Sequence, residues 1–235
     1  MQNIKLELEY EGTNFSGWEI QPQKRTIRGE IEHLLHNLLQ ERVKLIGAAR
    51  TDAGVHAISQ VASFKTKSLL PVSKIKKALL GLPPDIYVKD AVSVPLEFNA
   101  RRDASLRVYL YRLLLRKSPI ERTRVWEYRF KTDIERMKSA FQLFMGLHKF
   151  DLFSYKDSGE CEIKSVELIE NGDEVDFEIS ANRFLHRMVR MIIGTLTELG
   201  RGKISEEDIK SALNLKGRKW LCAPPQGLYL KEVKY

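Results

Sequence analysis

The sequence predicts an α+β fold, because strand-like and helix-like hydrophobic patterns alternate along the 235-residue chain. Three observations lead to this prediction. Residues 4–10 alternate apolar and polar side chains with the period of a strand that has one buried face. Residues 26–40 repeat leucine and isoleucine at helical spacing behind Thr26, a typical N-cap. Asn171-Gly172 separates two apolar runs, and this dipeptide is a strong β-hairpin signal.

The first half of the chain, residues 1–95, is expected to form a ferredoxin-like unit with the order βαββαβ. A second helix ends before the dipeptide Pro83-Pro84, which cannot continue a helical hydrogen-bond pattern. Pro95 is the expected boundary with the second half, residues 96–235. The remaining elements of the first half are predicted as strands over 43–46, 60–64 and 86–94 and a helix over 73–82.

The second half is predicted to mix strands and helices without an internal repeat. Its first strand places Tyr109 and Tyr111 on one face, because side chains two apart in a strand point the same way. Residues 148–161 have a mixed pattern and are predicted to form a loop. The other predicted elements are a strand over 106–115, a helix capped by Thr132, a hairpin over 163–180, a helix over 183–199, a helix capped by Ser205 and a strand over 228–233.

Composition narrows the classes of function. A hydrophobic content of 43% indicates a globular protein with a substantial core. The formal charge of +8 and the pI near 9.4 favour a polyanionic partner, because Lys and Arg release counterions when they neutralise phosphates. Two cysteines without Cys-x-x-Cys spacing favour a reducing compartment, and the histidines form no ligand set. No signal peptide or membrane span is recognisable, so a cytoplasmic location is expected.

The most informative segment is Gly47 to Ala57, a polar loop between two apolar runs. Asp52 lies two residues from a cation, Arg50, and the loop could present an ionised carboxylate for catalysis. The alternative is an ordinary turn, since Asp-Ala-Gly is a common turn sequence whose Asp caps a backbone N–H.

The residues 50–57, Arg-Thr-Asp-Ala-Gly-Val-His-Ala, resemble the active-site signature of the TruA family of tRNA pseudouridine synthases. Four further segments resemble motifs of the same family and occur in the same order. They are 10–18 (Tyr-Glu-Gly-Thr-Asn-Phe-Ser-Gly-Trp), 100–111 with its tyrosines, 184–194 (Phe-Leu-His-Arg-Met-Val-Arg-Met-Ile-Ile-Gly) and 223–230 (Ala-Pro-Pro-Gln-Gly-Leu-Tyr-Leu). The resemblance spans nearly the whole chain.

The resemblance implies a role for four residues. Asp52 corresponds to the nucleophile, and Arg190 to the arginine that pairs with it. Tyr109 corresponds to the active-site tyrosine, which stacks on the uracil and offers a phenol as proton acceptor. Arg50 corresponds to the residue that holds the space vacated by the extracted base.

Each role has a structural alternative. Arg190 shares a helical stripe with other arginines and could lie on a solvated face, although Gly194 one turn later suggests a close backbone approach. Tyr109 could be a core tyrosine of its strand. Trp18 could stack on a base or anchor the loop from below.

The resemblance implies two ferredoxin-like-derived halves joined in a mainly antiparallel sheet with a central active-site cleft. It also implies an isomerase without cofactor or metal that acts on tRNA at positions 38 to 40 of the anticodon stem-loop, as a homodimer. The alternatives are a non-catalytic RNA-binding protein and a related synthase that modifies other uridines. Ala49, where the family usually has Gly, and Met191, where Asn is typical, put substrate contacts in doubt but leave the chemistry in place.

Overall fold

The computed structural model describes residues 1–235, which divide into two compact units. Unit 1 comprises Met1–Ser105 together with Tyr229–Tyr235, and unit 2 comprises Leu106–Leu228. The strands are β1 (Gln2–Tyr10), β2 (Ile46–Gly47), β3 (His56–Thr66), β4 (Ile86–Val94), β5 (Leu106–Leu114), β6 (Trp126–Glu127), β7 (Gly146–Lys149), β8 (Glu160–Asn171), β9 (Glu174–Ala181) and β10 (Leu228–Lys234). The helices are α1 (Ile27–Leu39), α2 (Val72–Leu79), α3 (Ile134–Phe141), α4 (Met188–Gly200) and α5 (Glu206–Leu213).

Unit 1 has the predicted βαββαβ order. In its sheet, β1 lies between β4 and β3 and pairs antiparallel with both. On the far side of β3, β2 pairs antiparallel at one end. At the other end of β3, β10 pairs with it in parallel orientation, and Tyr229 and Leu230 lie opposite His56 and Ala57. The apolar side chains of the alternating strand β1 (Ile4, Leu6, Leu8 and Tyr10) are buried, as the period predicts.

The unit boundary falls at Ser105, whereas the sequence suggested Pro95. The connecting residues are fastened to unit 1 by hydrogen bonds. The Asn3 side-chain amide donates to the carbonyls of Pro95 and Phe98 at 2.8 and 2.9 Å. The Phe98 ring also contacts that of Tyr235, with centroids 5.1 Å apart. Hydrogen bonds of this kind leave no periodic hydrophobic pattern in the sequence. A boundary predicted from that pattern therefore does not take them into account.

The strands of unit 2 pair antiparallel in the order β5-β9-β8-β7. The short strand β6 pairs parallel with β5. The predicted hairpin is confirmed as β8 and β9, and its Gly172 takes a positive φ of 64°. Every residue of α4 except Glu198 is buried, so this helix is the centre of the unit's core.

Three predicted elements of unit 2 differ from the structure. The helix expected over 183–199 begins at Met188, because Arg187 has a left-handed backbone with φ 63°. α3 is capped by Asp133, whose side chain accepts from the Arg136 N–H, and not by Thr132. Residues 148–161 are not one loop, since β7 pairs with β8.

None of the helices is long and apolar enough to cross a membrane.

Candidate active site

Asp52 lies in unit 1 on the segment 48–55 between β2 and β3, here named the Asp52 loop. A hydrogen bond from the Trp18 N–H to the Thr51 carbonyl, 3.0 Å long, fixes the backbone of this loop. The Tyr10 hydroxyl and Thr51 Oγ1 are hydrogen-bonded at 2.8 Å. Val55 N–H donates to the Asp52 carbonyl at 3.2 Å, which closes the predicted turn. Asp52 itself is half-buried, so the loop holds a partly accessible carboxylate on an anchored backbone.

Gln60 is a second anchor of the loop and is fully buried in β3. Its side-chain Nε2 donates to the Ala49 carbonyl at 2.9 Å, and its Oε1 accepts from the Ala49 N–H at 3.3 Å. Nε2 also lies 3.5 Å from the Tyr10 hydroxyl. Burial raises the pKa of the Tyr10 phenol well above its ordinary 10.0, against smaller lowering effects of its hydrogen bonds to Thr51 and Gln60. The phenol therefore stays protonated and can serve this network as a donor.

Trp18 is only 1% exposed and lies beneath the loop. The prediction of a buried anchor is confirmed, and base stacking by this side chain is excluded. The loop also approaches the chain after β1 closely. A Cβ on Gly12 would come within 2.0 Å of the Val55 carbonyl oxygen, so only glycine fits there.

Arg50 is exposed, with 59% of its side-chain surface accessible. Its Nε lies 2.7 Å from a carboxylate oxygen of Glu19, and Glu19 also pairs with Arg28 at 2.8 Å. An exposed ion pair of this kind contributes little free energy, because water competes for both charges. Arg50 can therefore exchange Glu19 for another anion at little cost.

In unit 2, Tyr109 lies on β5 and is 7% exposed. Its ring meets that of Phe184 edge-on, with centroids 5.0 Å apart. Tyr111 on the same face is completely buried, and its hydroxyl donates to the Pro224 carbonyl at 2.9 Å. Burial raises the pKa of the Tyr111 phenol well above 10.0, although the positive charge of Arg190 opposes this shift.

Arg190 is in the first turn of α4 and is only 9% exposed, so a solvated helix face is wrong for this residue. Its Nε donates to the Ala223 carbonyl at 2.7 Å, and the Ala223 N–H donates to the Arg190 carbonyl at 3.0 Å. The close approach expected at Gly194 is confirmed, because a Cβ there would lie 2.0 Å from the Leu221 carbonyl oxygen. The segment 221–223 thus lies directly on α4 and orients the guanidinium.

The structure places Asp52 and Arg50 in unit 1, and Tyr109 and Arg190 in unit 2. The pairing of Arg190 with Asp52 would join the two units and stays a prediction. No group of three or more His, Cys, Asp or Glu side chains has the arrangement of a metal site.

Two residues that position the Asp52 loop were not predicted from the sequence. Tyr10 was recognised as a buried strand residue but not as a hydrogen-bonding partner of the loop, and Gln60 was given no role. The available signal for Gln60 was a polar residue within the apolar run of β3.

Comparison with known families identifies the class of protein. Residues 8–103 and 140–235 match a family model described as tRNA pseudouridine synthase, a class of isomerase. A Clostridium tetani protein named tRNA pseudouridine synthase A 2 is 40% identical, covering 100% of this chain and 99% of that protein. A Geotalea uraniireducens protein named tRNA pseudouridine synthase A is 42% identical over 100% of both chains. The chain belongs to the tRNA pseudouridine synthase family.

The family match includes Asp52, Arg50 and Arg190, whereas Tyr109 lies between the two matched ranges. Among solved structures, the archaeal box H/ACA sRNP Nop10–Cbf5 complex matches with a TM-score of 0.39 and 10% identity. That match covers 83% of this chain and 42% of the other.

Proposed function

We propose that this chain converts uridine to pseudouridine in the anticodon stem-loop of tRNA, at positions 38 to 40, with Asp52 as the nucleophile. Membership of the family and the names of the full-length relatives support tRNA as the substrate. The observation that carries the assignment of Asp52 is the anchoring of its loop by Trp18, Tyr10 and Gln60. A nucleophile needs a fixed backbone and an accessible carboxylate, and this loop offers both.

The reaction is an isomerisation. The bond between N1 of uracil and C1′ of ribose breaks, a bond between C5 and C1′ forms, and the proton of C5 leaves while N1 gains one. The bookkeeping balances without an oxidant, a reductant or a group donor, which is consistent with the expectation of no cofactor. A carboxylate suits the step because it can attack C1′ or the base, stabilise positive charge at C1′ and leave again.

Arg190 would hold Asp52 ionised and oriented. A guanidinium presents its N–H groups in a rigid plane, which matches the geometry of a carboxylate. In this chain the bond from Nε to the Ala223 carbonyl supports that role, because it fixes the plane and directs the terminal nitrogens. A lysine at this position would carry the charge but could not make both contacts.

Tyr109 would contact the target uracil, and Arg50 would occupy the space that the uracil leaves in the RNA stem. The Tyr109 ring is held edge-on by Phe184, which supports a fixed face for stacking on uracil, and its phenol would accept the C5 proton. The exposed side chain of Arg50 would leave its ion pair with Glu19 and enter the stem from which the base is extracted.

The wider partners are part of the same proposal. The charge of +8 supports binding of a polyanion such as tRNA. A homodimer is proposed from the resemblance, and a cytoplasmic location from the cysteine usage of the sequence. The departure at Ala49 is compatible with an ordered loop, because Gln60 binds both the N–H and the carbonyl of this residue.

The test is to incubate the purified chain with tRNA transcripts and to map pseudouridine along them. We expect product at positions 38 to 40 and none with Asp52→Asn. Product at other uridines would favour the related synthase with a different target. Tight binding of tRNA without any product would favour the non-catalytic RNA-binding protein.

A further inference from the structure

A cluster of cationic and aromatic side chains lies in unit 2 where the chain enters α4. It consists of Tyr155, Lys156, His186, Arg187 and Lys219, and is here named the Tyr155 cluster. The Tyr155 ring is 49% exposed. The Arg187 guanidinium carbon lies 4.3 Å from the centre of this ring and the Lys156 ammonium 5.4 Å from it, both at cation–π distance.

Hydrogen bonds between three separate segments hold the cluster in place. The Tyr155 N–H donates to the His186 carbonyl at 3.0 Å, and the His186 N–H donates to Asp157 Oδ2 at 3.0 Å. The Lys219 ammonium donates to the carbonyls of Ser154 and Tyr155. The cluster is therefore a built surface and not a chance meeting of flexible side chains.

Three features of Arg187 are energetically unfavourable in the protein alone. Its φ of 63° is left-handed, a conformation that glycine adopts easily and arginine does not. Its Nε is buried and has no hydrogen-bond partner. Arg187 is also the N-cap of α4 and provides no side-chain cap for the first-turn N–H groups. Strain and unsatisfied donors of this kind concentrate at functional sites.

We infer that the Tyr155 cluster binds the phosphodiester backbone of the RNA substrate, with Arg187 as the principal contact. This inference rests on the proposed function. A planar guanidinium supported by an aromatic ring is suited to the paired oxygens of a phosphate. The positive end of the 13-residue helix α4 adds to the attraction.

The charge of the Tyr155 cluster supports an anionic ligand. Lys156, Arg187 and Lys219 contribute three positive charges. Asp157 is the acidic residue bound directly to it, and one of its oxygens is engaged by the His186 N–H. The surface therefore keeps an excess of positive charge.

The central test is Arg187→Gly, because the structural and the RNA-binding explanations predict opposite results. Glycine relieves the left-handed backbone, so the melting temperature should stay the same or rise. The affinity for tRNA should fall about five- to tenfold at physiological salt, and the slope of log K against log salt should shrink by about one. Affinity is measured by fluorescence anisotropy of labelled tRNA over a range of salt concentrations.

The matched control is Arg116→Gln. Arg116 is an exposed arginine of unit 2 that does not belong to the Tyr155 cluster, and its Nε lies 3.3 Å from an Asp173 carboxylate oxygen. This variant should leave the salt slope unchanged. Equal losses in both variants would mean that any arginine serves, and would overturn the inference.

Arg187→Gln is measured in parallel, since it removes the charge but keeps the side-chain length. An unchanged salt slope in either Arg187 variant that melts like the wild type would overturn the inference. A clearly lowered melting temperature in both would also overturn it, because Arg187 would then serve the fold. Pseudouridine formation by the wild-type chain is followed separately, so that failure of the proposed function is recognised independently of the cluster.

Discussion

The Asp52 loop and the entry to α4 are constructed in opposite ways. The loop is tied by main-chain bonds and by the buried side chains of Tyr10 and Gln60, and Gln60 satisfies both polar groups of Ala49. The entry to α4 passes through a left-handed Arg187 whose buried Nε has no partner. The difference suggests that the loop is organised before the substrate arrives, whereas the helix entry is completed by what it binds.

The largest effect is expected from Asp52→Asn, which tests the organised side of this comparison. The amide has the shape of the carboxylate but cannot act as nucleophile, so turnover should fall on the order of ten thousandfold while tRNA affinity stays. Single-turnover formation of pseudouridine measures the loss. Asp90→Asn is the control, because Asp90 is another acidic residue of unit 1 and pairs with Lys76 at 2.9 Å on the surface. Appreciable product from Asp52→Asn would contradict the assignment.

Arg190→Lys should give the next largest effect. It keeps the charge but loses the planar fork, and we expect kcat to fall about a hundredfold with little change in tRNA affinity. Arg201→Lys at the other end of α4 is the control, since Arg201 lies beside Glu198 and stacks on Phe130. If both variants turn over like the wild type, the proposed pairing with Asp52 is wrong.

Two buried tyrosines allow a direct comparison of the regions. Tyr10→Phe removes the hydroxyl's bonds to Thr51 and Gln60, and Tyr111→Phe removes the bond to the Pro224 carbonyl. Each variant should lower the free energy of unfolding by about 1 kcal/mol. Only Tyr10→Phe should also lower kcat severalfold, because it loosens the Asp52 loop. Tyr87→Phe, at a tyrosine that is 54% exposed, should change neither quantity. Urea unfolding measures the loss of stability, and steady-state kinetics measure kcat. An equal decrease of kcat in Tyr10→Phe and Tyr111→Phe would contradict the proposed difference between the two regions.

The smallest effect concerns pH. Burial raises the pKa of both Tyr10 and Tyr111 above 10.0, so near pH 10 the unfolded chain loses phenol protons that the folded chain keeps. The unfolded state then binds fewer protons, and the free energy of unfolding falls as pH rises, by about 0.4 kcal/mol per tyrosine at pH 10. Urea unfolding at pH 8, 9 and 10 should show a shallower decline in each Phe variant. An unchanged decline would mean that the two phenols do not contribute.

Much of the fold follows from periodicity. The βαββαβ order of unit 1 was predictable because β1 and α1 each have one buried face, and such faces leave a regular trace in the sequence. The start of α4 was not, since Phe184 and Leu185 continue the helical spacing although the backbone turns left-handed at Arg187. A side-chain pattern does not report a single unfavourable φ.

The site shows the same division. Asp52 could be proposed from the sequence because its motif is contiguous, and Arg190 because its helix has a motif of its own. The bond between Tyr10 and Thr51 joins residues 41 positions apart, and Gln60 reaches Ala49 through its side chain. Contacts of this kind depend on strand register, which the sequence does not state directly.

The parallel pairing of β10 with β3 has a consequence for how the chain folds. Residues 229–235 complete unit 1, yet the whole of unit 2 lies between them and Ser105. During synthesis, the edge of β3 near His56 stays unpaired for on the order of ten seconds, until β10 has been translated. Closing so long a connection is entropically costly and slow, so a nascent chain carries an unpaired strand edge beside the Asp52 loop. A circular permutant that places 229–235 before Met1 should acquire a folded first unit earlier in translation than the natural order allows.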